Sequence, residues 1–147
     1  MPTLTTSPQV LGETTTPNPD PQSNGKQHTR LYAWYSDVSG NTCTVHFKLT
    51  VVYENVSYTG TNKFRQLAYD GYDSGTLPYT DAPLSANVEY LVLEGSRTYN
   101  GGNTVNTSAL YWSNVYRSSD IGNCQATVPV FATPPTGLTL SNTSDKR

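Results

Sequence analysis

Between Thr42 and Glu54 every second residue is apolar. Cys43, Val45, Phe47, Leu49, Val51 and Tyr53 fall on one side, and Thr44, His46, Lys48 and Thr50 on the other. Successive side chains of a β-strand point to opposite faces, so such a run gives a strand one dry face and one wet one. A helix would scatter the same residues around its circumference. The dry face must then be covered by a second layer, because a half-apolar sheet is stable only when packed.

The flanking sequence extends this pattern. Residues 30–36 read Arg-Leu-Tyr-Ala-Trp-Tyr-Ser, and Asp37 to Asn41 follow as a turn with Ser39-Gly40-Asn41 at its tip. Together with the Thr42 run this predicts a hairpin. Residues 87–99 predict a second long strand, in which Val88, Tyr90 and Val92 alternate with Leu91 and Leu93, as in a central strand. Asn100-Gly101-Gly102-Asn103 is a turn signal, which makes Thr104–Ser113 the expected hairpin partner. Ile121-Gly122-Asn123 introduces a last strand carrying Cys124, Ala126, Val128 and Val130, with Pro129 marking an edge. Residues 63–69 and 75–79 add shorter strands. The good helix formers Ala, Leu, Glu and Lys are scarce, and Thr, Ser and Asn dominate. About seven strands separated by Gly, Asn and Ser turns describe an all-β, antiparallel, Ig-like β-sandwich. The likeness to immunoglobulin domains is architectural, since Trp34 precedes Cys43 instead of following it.

Residues 1–27 hold Pro2, Pro8, Pro17, Pro19 and Pro21 and show no apolar period. They read as an extended or disordered arm, unable to build a ladder, that either hangs free or orders against a neighbouring subunit. The sandwich then occupies residues 28–133. Thr133-Pro134-Pro135-Thr136-Gly137 closes it, and residues 134–147 form a polar tail.

Composition removes several functions. No run of about 18 apolar residues exists to cross a membrane as a helix. The start, Met1-Pro2-Thr3-Leu4, lacks the basic and apolar segments of a secretion leader, so none is expected. Nine Lys plus Arg against eleven Asp plus Glu leave no basic excess for phosphates, so nucleic acid is not an expected partner. Only 14% of residues are charged, against about 25% in ordinary domains, so hydroxyls, amides and eleven tyrosines carry the surface.

The chemistry-bearing residues are few. Cys43 and Cys124 each follow an Asn and open an alternating run, which makes them a candidate disulfide. A bridge over so long a loop is worth about 4 kcal/mol on the chain-entropy model. The alternative is two reduced, buried thiols, which a reducing cytosol favours. Two cysteines and two histidines do not fall into a zinc spacing, so no metal or other cofactor is expected. Asp70-Gly-Tyr-Asp73-Ser-Gly75, followed by Asp81, is the densest acidic stretch, but its spacing is that of a turn and not of a calcium loop. No catalytic residue is assigned. His28 lies in or beside the arm, His46 stands on the polar side of its strand next to Lys48, and no Gly-x-Ser-x-Gly elbow exists. Glu89 and Glu94, five apart on one strand, are expected on opposite faces, and nothing selects Glu54 with Glu89 as an acid pair. Most tyrosines fill the core or a sheet face. The rest, above all Tyr69, Tyr72 and Tyr79 with Asp73 and Tyr99, are the candidate binding residues, because tyrosine gives a rigid apolar face and one hydroxyl.

One resemblance accompanies these readings. Asn41-Thr-Cys-Thr-Val-His-Phe-Lys-Leu-Thr-Val, then Val56-Ser-Tyr-Thr-Gly-Thr-Asn, a Leu91/Leu93 strand and Ile121-Gly-Asn-Cys-Gln-Ala-Thr-Val follow in order. This order resembles the Ig-like β-sandwich module of siphophage minor structural and tail-tip proteins, over about residues 30–135. In that family an Asn-Thr-Ser-Thr-Val strand precedes a Tyr-Ser-Gly-Thr turn. Its terminal strand runs into a Pro-containing linker, as Ala132-Thr-Pro-Pro-Thr-Gly-Leu-Thr-Leu does here. The resemblance implies a non-enzymatic virion part, tail-associated or decorating a capsid, whose partners are other virion proteins and copies of itself. The alternative expectation is an adhesin or carbohydrate-binding module that recognises host cell-surface glycans.

Overall fold

A computed structural model describes residues 1–131. Ten strands follow in chain order: β1 (Gln9–Pro17), β2 (Lys26–Ser39), β3 (Thr42–Glu54), β4 (Lys63–Tyr69), β5 (Tyr72–Asp73), β6 (Leu77–Pro78), β7 (Glu89–Asn100), β8 (Thr104–Ser113), β9 (Arg117–Ser118) and β10 (Ile121–Thr127). Three of them are two-residue pairings, which leaves seven strands of seven residues or more. The first sheet has the order β1-β2-β3-β7. The second has the order β10-β8-β4-β5, with β6 also on β4 and β9 on β8. Every ladder is antiparallel. The fold is an antiparallel β-sandwich, as the alternation predicts.

The β3 pattern sets the core. Cys43, Val45, Phe47, Leu49, Val51 and Tyr53 are all at most 1% exposed. Leu67, Val105, Ala109, Tyr111 and Ala126 from the second sheet close over them. Burying side chains of this size is worth about 1.5–3 kcal/mol each. One polar group lies at the centre. Gln27 Oε1 accepts from Tyr53 Oη (2.9 Å) and Ser113 Oγ (2.5 Å), while its Nε2 donates to the Arg117 carbonyl (3.0 Å) and to Ser119 Oγ (2.9 Å). With all its valences used, this amide costs little to bury and locks the two sheets in one register. It also explains the left-handed φ of 68° at Arg117, which turns that carbonyl toward the buried amide.

Three expectations need correction. Residues 1–27 do build a ladder, because β1 pairs with β2 from Gln9↔Ala33 to Pro17↔Lys26. The prolines bracket the strand without interrupting it: Pro8 precedes it, Pro17 is its last residue, and Pro19 and Pro21 lie in the turn. Further upstream, Leu4 is 1% exposed and donates its N–H to the Thr127 carbonyl, while Tyr35 donates to the Thr5 carbonyl. The start of the chain is thus a strap that crosses from the second sheet to the first. Gly12 sits where they meet, and a Cβ there would stand 2.6 Å from Cys124 Sγ.

The second correction is that β7 is an edge strand, not a central one, and β8 is not its hairpin partner. The Asn100–Asn103 connection arches between the sheets, held by Gly101 N–H on the Asn41 carbonyl and Gly102 N–H on the Val128 carbonyl. The apolar residues on both sides of β7 reflect a bulge opposite Leu49/Thr50, where the extra residue, Val92, turns into the core. The third correction is that the last strand ends at Thr127, with Val128 buried but Val130 75% exposed. The expected polar tail at 134–147 and the Thr133–Gly137 closure lie outside the described residues.

Candidate functional site

The residues picked from sequence divide sharply. Tyr69, Tyr79 and Tyr99 are 9%, 3% and 5% exposed, so they are core residues and not contact residues. Tyr69 stacks on Phe47 at 4.4 Å, and Tyr79 lies under Lys63 and Arg65 at 5.0 and 5.2 Å. Tyr99 Oη donates to Asp70 Oδ2 (2.8 Å), whose carboxylate also accepts from the Asn106 backbone and side chain. Burial alone would raise the Asp70 pKa, but these donors and Arg97 outweigh it and hold it below the ordinary value. Tyr72 (49% exposed) and Asp73 stay at the surface, with Asp73 Oδ1 engaged by Gln66 Nε2 and Gly75 N–H. The expected Tyr cluster is therefore a core stack with one outward member.

The candidate disulfide is not formed, and both thiols are free. Cys43 points into the core from the first sheet, whereas Cys124 lies on the second sheet's edge against β1, with its thiol on the Gly122 carbonyl. Burial pushes both thiols up, which keeps them protonated.

The two outward sheet faces carry what remains. On the first sheet, the β2–β3 register sets Trp34 opposite His46 and Tyr32 opposite Lys48. Across β7, His46 faces Ser96 and Lys48 faces Glu94. The Trp34 and His46 rings stack at 5.1 Å, and the Lys48 ammonium sits 4.8 Å over Tyr32 and 5.6 Å over Trp34. Lys48 therefore leans away from Glu94, whose carboxylate enters no ion pair among the described residues. Next to this patch, Glu89 Oε2 accepts from Tyr32 Oη (2.5 Å) and Thr50 Oγ1 (2.6 Å), with Arg30 Nη1 3.5 Å from Oε1. Burial would raise the Glu89 pKa, but these partners together hold it below the ordinary carboxylate value. At the far end His28 lies between two carboxylates, Nε2 2.6 Å from Glu13 and Nδ1 2.8 Å from Glu54. Arg30, 3.7 Å from Glu13 and 3.5 Å from Glu89, links this triad to the Glu89 cluster, so Glu54 and Glu89 are the two ends of one chain of ion pairs. The bulge at Val92 also corrects the expectation for Glu89 and Glu94, which lie on the same outward face and not on opposite ones.

The second sheet presents a different surface. Pro78, Phe64, Trp112 and Ser118 form one row across β6, β4, β8 and β9, with Leu110 beside it. Phe64 is 38% and Leu110 43% exposed, and the Phe64 and Trp112 rings meet at 5.7 Å. Arg117 covers Trp112 at 5.8 Å, and Asp120 lines the same shallow hollow.

One constellation on the first face has the members of a hydrolytic relay. Ser36 Oγ is 2.6 Å from His46 Nε2 and 2.7 Å from Asp37 Oδ2. The hydroxyl donates to the carboxylate, so His46 Nε2–H donates to the hydroxyl. A serine nucleophile needs the reverse, with its proton aimed at the imidazole. The relay instead fixes the His46 ring against Trp34. A depression of about 390 Å³ at one end of the sandwich is lined, among the described residues, by amides, hydroxyls, Val56 and Val115, with no carboxylate, imidazole, amine or thiol.

Sequence reading missed the Trp34–His46 pairing because it depends on a bulge. A two-residue turn at Gly40-Asn41 sets Ser39 opposite Thr42, which continued unbroken would place Trp34 opposite Phe47. The register shifts by one between Ser36 and Ser39, where Asp37 takes a φ of 54°. The signal was present: Leu31, Ala33 and Tyr35 can share a face with the β3 apolar set only if such a shift occurs. No protein-family model matches this sequence, and no curated protein matches it either.

Proposed function

We propose that this chain is a non-enzymatic structural module of a bacteriophage virion, tail-associated or decorating the capsid, and that it works by contact with neighbouring subunits. The observation that carries the reading is the Pro78–Phe64–Trp112 row with Leu110 on the second sheet's outward face. An apolar aromatic patch left open on a small domain marks an interaction surface. Its flanks hold Arg117 and Asp120, one cation and one carboxylate, so the patch is self-complementary in charge as well as apolar, and the partner it fits is another copy of this chain. The order of strand motifs, which resembles that of siphophage tail-tip modules, suggests the virion context. The absence of a base-directed serine in the Ser36–His46–Asp37 relay speaks for a role without turnover.

The test is immunogold electron microscopy with antibody to the chain on particles purified from the organism that encodes it. Labelling at a fixed place on tail or capsid is expected. Intact particles without the chain would reject the reading. A second reading, a glycan-recognising adhesin module, is favoured by the aromatic platform on the opposite sheet.

A further inference from the structure

We infer that the outward face of the first sheet carries a subsite for a single neutral pyranose ring of an oligosaccharide, bounded by Trp34, His46, Glu94 and Ser96. This rests on the glycan-recognition reading and gives it a location. A hollow of about 180 Å³ lies here, lined by Trp34, His46, Phe47, Glu94, Gly95 and Ser96. Phe47 is fully buried and Gly95 has no side chain, so their backbone rung forms the floor. The walls are supplied by the other four. Gly95 is required beneath, since a Cβ there would stand 2.5 Å from Tyr69 Oη.

Three features select the ligand class. The indole and imidazole are stacked within 16° of parallel and held by the Ser36–Asp37 relay, so a rigid π surface is in place before anything binds. Such surfaces take the apolar C–H face of a sugar ring at little entropic cost. Around the hollow stand an acceptor-only carboxylate (Glu94) and a hydroxyl that serves either way (Ser96). This mixture fits vicinal hydroxyls, which both donate and accept. Finally, among the described residues Glu94 is the one carboxylate lining the hollow, so a carboxylated sugar meets repulsion there. A neutral ring meets none.

The hollow is smaller than the roughly 300–1,000 Å³ typical of drug-sized ligand sites. One ring is therefore held, weakly, with a dissociation constant of roughly 5 mM. Affinity for a surface would come from many copies acting together on one particle.

The experiment is a ¹⁵N–¹H NMR titration of the full chain with cellotetraose, maltotetraose and triacetylchitotriose, each to about 50 mM, tenfold above that constant. The chain's two tryptophans give two indole N–H signals, one per sheet face. The Trp34 signal is expected to move saturably with at least one of these sugars while the Trp112 signal stays. Glu94→Gln, at an exposed position, should weaken that binding roughly tenfold by replacing a charge-assisted hydrogen bond with a neutral one. Trp34→Ala should abolish it, with retained dispersion of the Leu49 and Val51 amide signals showing that the fold persists. No saturable shift at Trp34 with any of the three, movement of Trp112 instead, or a Glu94→Gln chain that binds as the parent does would overturn the assignment. Those results would leave the particle-contact reading intact, because that reading is decided by labelling of particles.

Discussion

On the outward face of the first sheet, Glu13, His28, Arg30, Glu54 and Glu89 are tied to one another and to Tyr32 and Thr50 by ion pairs and hydrogen bonds. On the outward face of the second sheet, Phe64 and Leu110 are left 38% and 43% exposed beside a half-buried Trp112. Both faces are the nominally polar side of a period-two pattern, yet they spend it differently. The first is stabilised within the chain, so its groups are organised and salt-sensitive. The second gains nothing from its own chain and lowers its free energy only when something covers it. A face whose polar groups already satisfy each other suits recognition by a fixed geometry, whereas an unsatisfied apolar face suits assembly.

The largest expected effect tests the apolar half of this contrast. Phe64→Ser combined with Trp112→Ser should weaken self-association by roughly a hundredfold, about 3 kcal/mol, as removal of paired aromatic anchors does. Sedimentation over a concentration series reads this directly. A parent chain that stays monomeric at high concentration, or a double variant that associates as strongly, would break the comparison by showing that the second face is inert.

The sandwich itself and the β2–β3 hairpin were legible because the β3 alternation admits one reading. The strap, the inter-sheet arch and the platform were not, and each for its own reason. Residues 9–16 lack an apolar period because β1 is an edge whose outward residues are Val10, Glu13 and Thr15, and it is held by the backbone ladder and by polar side chains such as Glu13 on His28. Asn100-Gly101-Gly102-Asn103 has the composition of a hairpin turn, but its N–H groups are claimed by Asn41 and Val128, which lie far off in sequence. The tyrosines misled because a strand-edge Tyr such as Tyr79 looks the same in sequence whether its ring lies under Arg65 or in solvent. Trp34 and His46 meet only after the one-residue shift at Asp37.

A smaller effect tests the networked half. Glu89→Gln keeps the shape but replaces a carboxylate that accepts from two hydroxyls and faces Arg30, so it should destabilise the monomer by about 1 kcal/mol, with solvent screening at this partly exposed site limiting the cost. Denaturant midpoints measure it, and sedimentation should not change. If association changed as well, the two faces would not be independent.

The acid limb of stability sharpens the same point. The folded pKa of Glu89 lies below its ordinary value of 4.5, so the unfolded chain takes up the proton first as pH falls. The stabilisation is complete above that ordinary value and is lost as pH drops through the folded one. Asp70, lowered from 3.8, behaves with the same sign. Glu89→Gln should therefore flatten the fall in stability below about pH 4.5 without removing the part due to Asp70.

The smallest expected effect concerns salt. His28 between Glu13 and Glu54 joins β1, β2 and β3, but Glu13 is 53% and Glu54 32% exposed, so each pairing is partly screened. His28→Asn should cost about 0.5–1 kcal/mol in dilute buffer, and less in roughly 1 M salt, where the screening length falls to about 3 Å. Phe64→Ser with Trp112→Ser should respond oppositely, because added sulfate strengthens apolar association in the parent and leaves the double variant with little to strengthen. Thermal melts and sedimentation at two salt concentrations separate these responses. Opposite signs on the two faces would tie each to its own physics, whereas a common sign would mean that one surface property governs both.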